Sequence, residues 1–275
     1  MKIFLTGGTG FVGSHFLQQA LAQGHEVLAQ RRPGSQTRLA LAQQPQWIEG
    51  ALDGDFRAHL AGVDVLVHLA SHTPNPPYDT LDRCLYWNVF ASLQLAMQAV
   101  EQGVHKIIVA GSCFEYGRAA ERLAQIDTDT PLEPTLSYPT SKAAASAAFL
   151  GLARELDLQL QLLRIFQVYG EGEQATRLWP SLRTAALSGR DFPMSLGEQV
   201  RDFIAVEEVA RQFVQALDFH GCTAGEPVVA HVASRQPQTL AAFARHWWKH
   251  WGANGALQLG ALPYRKNEIM CIASR

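Results

Sequence analysis

Lys2-Ile-Phe-Leu-Thr-Gly7-Gly-Thr-Gly10-Phe11-Val12-Gly13 opens the chain with a short apolar run, a glycine-rich turn and the start of an amphipathic stretch. The apolar run reads as a buried strand over 2–6, and the stretch over 11–23 reads as a helix. Three glycines fall on or next to the turn between them, each with a physical reason. Gly7 permits a tight turn, Gly10 lets the backbone approach a ligand, and Gly13 lets the helix lie close to the strand. The helix start then offers unpaired N–H groups and a partial positive charge to an anion. Strand, turn, helix and position agree on a seat for the pyrophosphate of a dinucleotide. A purely structural turn is the alternative.

Working outward, the same alternation recurs. Short apolar runs predict strands over 25–30, 46–50, 64–68, 105–110 and 159–165, with helices over 55–60, 79–102 and 137–155 between them. In 79–102 the stripe runs Leu81, Leu85, Val89, Leu93, then slips slightly out of step to Ala96 and Val100. Runs that are apolar throughout suit strands covered on both faces. Strand–helix–strand repetition predicts an α/β fold, a doubly wound parallel (Rossmann) sheet over 1–166. Beyond that, glycine and proline become frequent and Trp247, Trp248 and Trp251 cluster on a predicted helix. We expect a smaller C-terminal substrate lobe over 167–275, with 201–220 returning to the first domain.

Composition narrows the function classes. With 275 residues, 47% of them hydrophobic, the chain has ample material for a core, which excludes a disordered role. Its 23 basic and 25 acidic residues provide no global basic field, so nucleic acid is not an expected partner. The ten histidines show no metal-ligand spacing, and the 4 cysteines (Cys84, Cys113, Cys222, Cys271) form no CxxC pair, so neither a metal nor a disulfide framework is expected. No run approaches the roughly 18 apolar residues of a membrane span, and the apolar run after Met1 is short for a signal peptide. A reducing, cytoplasmic setting is the expectation.

The end of the second strand bears on cofactor choice. Dinucleotide folds that take NAD commonly place an acid there for the ribose hydroxyls. Here Arg31 and Arg32 follow Gln30, and two guanidiniums suit a 2′-phosphate. NADP(H) is favoured and NAD(H) remains possible; an exposed basic loop is the alternative. Further on, Tyr138-Pro-Thr-Ser-Lys142 sets a phenol and an ammonium one helical turn apart. A free tyrosine, with a pKa of about 10, is a poor acid–base group at neutral pH, and a nearby cation corrects that. Ser112, at the expected C-terminal edge of a strand, points a hydroxyl into the crevice where doubly wound sheets bind ligands.

Together these segments resemble the extended short-chain dehydrogenase/reductase family of NAD(P)-dependent nucleotide-sugar epimerases, dehydratases and reductases. The resemblance runs in order through TGGTGFVGSH (6–15), HLAS (68–71), NVFASLQL (88–95), GSCFEYG (111–117), YPTSK (138–142), LRIFQVYGEGE (163–173) and RDFIAVEEVA (201–210). It implies that Ser112 hydrogen-bonds the substrate oxygen and that Tyr138 gives or takes the proton. Lys142 would bind the nicotinamide ribose and tune Tyr138. Besides Gly7, Gly10 and Gly13, the implied cofactor contacts are Phe11, Val12, Leu52, Leu69, Ala70 and Asn88. Gln167, Arg201 and Arg265 would contact the substrate, with Asp202 orienting Arg201; each arginine is otherwise an ordinary surface charge or ion pair. A homodimer built on the 79–102 and 137–155 helices is also implied.

Departures from the family pattern matter as much. The Asp that often contacts adenine is replaced by Ala51, leaving Asp53 as a weak substitute. Asn gives way to Gln167. The Asp-Glu pair of sugar dehydratases is Cys113-Phe114, which cannot remove water by acid–base chemistry, and Cys113 lies one residue too early for the extra acid of the epimerase-reductases. Its expected place is packed under the turn. The segment LPYRKNEIM (262–270) and the arginines at 31 and 32 favour an NADPH-dependent 4-ketoreductase of a nucleotide-activated deoxysugar. A nucleotide-sugar 4-epimerase using bound NAD is the alternative, and a non-catalytic NADP-binding sensor the second.

Overall fold

A computed structural model describes residues 1–265 and 268–275; Lys266 and Asn267 of the 262–270 segment lie outside the described residues. The central element is a seven-stranded sheet. Its first six strands are β1 (Lys2–Thr6), β2 (Glu26–Arg31), β3 (Gln46–Glu49), β4 (Val65–His68), β5 (Lys106–Ser112) and β6 (Gln159–Ile165). The order is β3-β2-β1-β4-β5-β6, with Val228–Val232 on the outer edge of β6, and every pair is parallel. The expected doubly wound sheet is therefore present. Its last strand is an addition: residues 228–232 lie in the stretch expected to be substrate lobe, because Val228–Val232 is a short run interrupted by His231 and gives a weak strand signal.

Both faces are covered, which explains why the strands are apolar throughout. On one face α1 (Phe11–Ala22) and α7 (Val206–Gln215) press Phe16, Leu17, Val209 and Phe213 onto Ile3, Leu5 and Val67. On the other, α4 (Ser92–Glu101) and α5 (Ser137–Glu155) bring Leu95, Ala99, Ala145 and Phe149 onto Phe4, Leu66 and Ile107. The alanines of α5 let it lie close to its neighbours. Arg57–Leu60 forms a short α2. The 79–102 stretch is not one regular helix: α3 (Leu81–Leu85) passes into a π-helical segment, Tyr86–Ala91, before α4 begins. The wider turn absorbs the slip in the apolar stripe and includes Asn88.

The C-terminal part is built from α6 (Leu178–Leu187), α8 (Leu240–His250) and short strands. Leu182, Ala185, Ala244 and Trp248 share a small core. Val200–Arg201 lies between Gln238–Thr239 and Cys271–Ile272. Strand order reverses beside β1, so the crevice at the C-terminal ends of β1 and β4 is where such sheets bind ligands.

Candidate active site

The glycine turn has the shape its sequence suggested. Gly7 adopts φ +76°, and a Cβ there would lie 2.6 Å from the Ala70 nitrogen. A Cβ on Gly13 would come within 2.0 Å of the Gly7 carbonyl oxygen, so that position is closed to any side chain. Beside Gly10 the nearest atom is the same oxygen, at 3.1 Å. α1 follows Gly10 as its N-cap, with no side-chain cap and no acid in its first turn, leaving its N–H groups for a phosphate. These residues fit a dinucleotide.

A buried relay stiffens this turn. Thr6 Oγ1 accepts from the Ala70 N–H at 3.2 Å and lies 2.8 Å from His68 Nδ1, while His68 Nε2 lies 2.9 Å from Ser92 Oγ. Ser92 donates its one proton to the Trp87 carbonyl at 3.0 Å, so it accepts from His68 Nε2–H and Thr6 donates to Nδ1. His68 is thus neutral; burial, and then the Lys142 charge, push its pKa down to about 3. Asn88 is equally committed: it accepts from the His72 N–H at 2.7 Å and donates to Ser141 Oγ at 2.9 Å. It joins the chain after β4 to the first turn of α5, and its amide turns to protein partners.

Ser112, Tyr138 and Lys142 converge at the end of β5. All three are buried. Burial pushes the Tyr138 phenol up, against hydrogen bonding from the Ser71 and Ser112 hydroxyls that pulls it down. Lys142 donates to the Ala110 carbonyl at 2.6 Å, and burial lowers its pKa while the Glu115 carboxylate raises it. Tyr78, which the sequence did not mark, lies over Tyr138 with ring centroids 5.4 Å apart. Sequence reading also missed Glu173: its side chain is 7% exposed, it lies 3.6 Å from Arg177, and burial moves it up to about 7.

Other expected residues sit differently. Arg31 pairs with Glu49 at 2.9 Å and lies over Trp47 at 4.9 Å, whereas Arg32 is exposed. The register of β2 on β3 sets Arg31 directly beside Glu49, a cross-strand pairing with no sequence signature. Asp53, the substitute considered for adenine, accepts from the Tyr86 hydroxyl at 2.7 Å. Leu52 and Leu69 pack at the margins of the two sheet cores, and Phe11 and Val12 form the first turn of α1. Arg201 is buried and bound to Glu268 at 2.9 Å and to the Ile269 carbonyl at 2.6 Å. Asp202 does not orient it, because its carboxylate is filled by Ser234 and the Arg235 N–H. Gln167 pairs through the backbone with Phe203, and Arg265 is exposed, its charge acting on Tyr78. Cys113 packs with Tyr116, Phe166 and Ile272, and burial drives its thiol up to about 12.

Similarity to known proteins agrees with this geometry. Residues 3–228 match the model of the NAD dependent epimerase/dehydratase family. A UDP-glucose 4-epimerase from Corynebacterium glutamicum is 27% identical over 79% of this chain and 71% of its own length. A dTDP-6-deoxy-L-talose 4-dehydrogenase (NAD(+)) from Aggregatibacter actinomycetemcomitans is 25% identical over 82% of this chain and 86% of its own. Among solved structures, an NAD-dependent NDP-hexosamine 5,6-dehydratase of tunicamycin biosynthesis superimposes with a TM-score of 0.85 at 26% identity, covering 100% of this chain and 89% of that one. With a glycine turn shaped for a dinucleotide and a buried tyrosine–lysine pair at the sheet's crevice, the chain belongs to the NAD dependent epimerase/dehydratase family and is an NAD(P)-dependent enzyme of the extended short-chain dehydrogenase/reductase type.

Proposed function

We propose that the chain is an NADPH-dependent reductase of a nucleotide-activated keto-deoxysugar, of the 4-ketoreductase type. The observation that carries this reading is the buried Tyr138 phenol, with two hydroxyls turned to it and Lys142 one turn along the same helix. Gly7, Gly10 and the start of α1 would hold a nicotinamide dinucleotide, which supplies the hydride when bound. Burial keeps Tyr138 protonated at neutral pH, the state needed to donate to a ketone oxygen. Ser112 would hold that oxygen in place, and Lys142 would stabilise the phenolate left behind. Arg265, exposed and near enough for its charge to act on Tyr78, would meet the diphosphate; for Arg201 to do so it must leave Glu268. Gln167 would line the substrate side.

Two observations support reduction over loss of water. Cys113, protonated and packed inward, and the apolar Phe114 occupy the positions of the dehydratase acids. The dTDP-6-deoxy-L-talose 4-dehydrogenase is also matched over most of its own length. The Arg31–Glu49 pair favours a second reading, a 4-epimerase with retained NAD, since a 2′-phosphate must draw Arg31 from its carboxylate.

Titration with NADPH, NADP⁺, NADH and NAD⁺, followed by turnover of 4-keto dTDP-, CDP- and UDP-sugars, tests the proposal. Exchangeable NADPH and consumption of a keto sugar, lost by at least about a hundredfold in Tyr138→Phe, are the expected results. Tightly retained NAD⁺ with interconversion of 4-epimers would replace it with the epimerase. Cofactor binding with no turnover of any sugar would point to the sensor.

We infer a homodimer from one exposed face. Phe90 is 66% and Met97 51% exposed along the π-segment and α4. The neighbouring α5 presents small exposed residues, Ala147 and Gly151, along its middle, and charged Arg154 and Glu155 in its last turn. No helix among the described residues is long and apolar enough to cross a membrane. Four free cysteines support a reducing, cytoplasmic setting.

A further inference from the structure

Glu115 is a fully buried carboxylate to which the chemistry above gives no task. It stands in the Cys113–Tyr116 turn that follows β5, and its two oxygens serve three elements. Oε1 accepts the Ser112 N–H at 2.7 Å; Ser112 Oγ in turn accepts the Phe114 N–H at 3.3 Å. Oε2 accepts the Ser146 hydroxyl of α5 at 2.7 Å and Arg164 Nε of β6 at 3.0 Å. Ser146 lies one turn beyond Lys142 on the same helix, as Lys142 lies one turn beyond Tyr138.

Gly111 makes this possible. A Cβ there would lie 3.0 Å from Glu115 Oε1 and 2.9 Å from Arg164 Cγ, so a side chain would push the carboxylate off the strand end. Arg164 is satisfied on its far side by the Tyr116 hydroxyl at 2.7 Å and the Thr128 carbonyl at 2.9 Å. A buried ion pair is weak evidence of stability, since apolar residues of equal volume often serve as well. Its placement has another consequence.

We propose that Glu115 is a positioning residue of the reaction centre: one carboxylate fixes Ser112 and the α5 turns that carry Tyr138 and Lys142, and sets a buried negative charge near the ammonium. The proposal rests on Ser112, Tyr138 and Lys142 being the reactive set. The groups around them are few. Lys142 faces Glu115 from the turn after β5, neutral His68 from β4 and Tyr138 on its own helix. Tyr138 faces Glu115, the Ser71 and Ser112 hydroxyls and Tyr78. Arg164, from β6, spends its charge on the same carboxylate. Glu115 is therefore the negative charge that offsets the burial of Lys142.

The test uses full-length Glu115→Gln/Arg164→Met, which removes the pair without stranding a charge, together with Arg164→Met and Ser146→Ala. Lysine side chains carrying ¹³C report titration by NMR, and Lys142→Arg identifies the signal. The double variant is expected to fold and to titrate Lys142 at lower pH than the wild type; Arg164→Met, which keeps Glu115, is not. With a keto-sugar substrate in hand, Ser146→Ala lowers kcat about tenfold with KM unmoved. A folded double variant with the wild-type Lys142 titration overturns the proposal. If the double variant does not fold, Ser146→Ala decides: a displaced Lys142 titration supports positioning, and an unmoved one refutes it. The titration needs no sugar, so failure of the reductase reading shows up separately, as cofactor binding without turnover.

Discussion

Acidification should test the buried relay through His68. In the folded chain its pKa is about 3 against 6.5 for a free histidine, and that of His231 is about 4. For each, the folded state excludes a proton that the unfolded chain binds, so stability is lost as pH falls below 6.5. Between pH 7 and 5 each histidine costs about 2 kcal/mol. Glu173 works the other way. Its folded pKa, about 7, lies above the ordinary 4.5, so the folded state takes up a proton in this window and regains about 2 kcal/mol. Together these three groups should therefore cost the wild type about 2 kcal/mol from pH 7 to 5. His68→Gln, which cannot take up that proton, should be less stable at pH 7 yet lose almost nothing further at pH 5. Glu173→Gln should lose about 4 kcal/mol. Urea unfolding at pH 7, 6 and 5 measures all three. If His68→Gln showed the wild-type pH dependence, the neutral relay between Thr6 and Ser92 would be wrong.

Three further results are expected. Glu49→Gln should release Arg31 and tighten NADPH binding about two- to fivefold, the worth of a half-exposed pair; weaker binding in a fluorescence titration would show that Glu49 helps to hold the cofactor. Gly13→Ala should abolish cofactor binding while the circular dichroism of the sheet persists, because its methyl would strike the Gly7 carbonyl; retained affinity would mean that the turn can shift without loss. Phe90→Arg should leave a monomer by light scattering, and an unchanged dimeric mass would move the interface away from the α4–α5 face.

How much of this was legible in sequence varies with the range of the interaction. The glycine turn could be read because its requirements are local: Gly7 and Gly13 are needed by backbone atoms within a few residues or just across the crevice. The Tyr138–Lys142 pair could be read because helical periodicity alone stacks the two. The slip in the 79–102 stripe was visible, but that a π-helical segment absorbs it at Asn88 was not. Val228–Val232 was missed as a sheet strand because only the free edge of β6 gives it a place.

The layer architecture, the glycine turn and the stacking of Tyr138 with Lys142 follow from the sequence alone, since periodicity, glycine sterics and helical spacing act over a turn or two of chain. Which charges are free to meet a ligand is set by contacts between distant parts of the chain. Arg31 goes to Glu49 across strands, Arg201 to Glu268 some 67 residues on, and Glu115 to Arg164 in the core. Partners so far apart in the chain leave no spacing to read: strand register sets Arg31 beside Glu49, and for Arg201 and Glu115 burial makes the pairing obligatory, because a charge withdrawn from water must find its counter-charge wherever the fold has brought one.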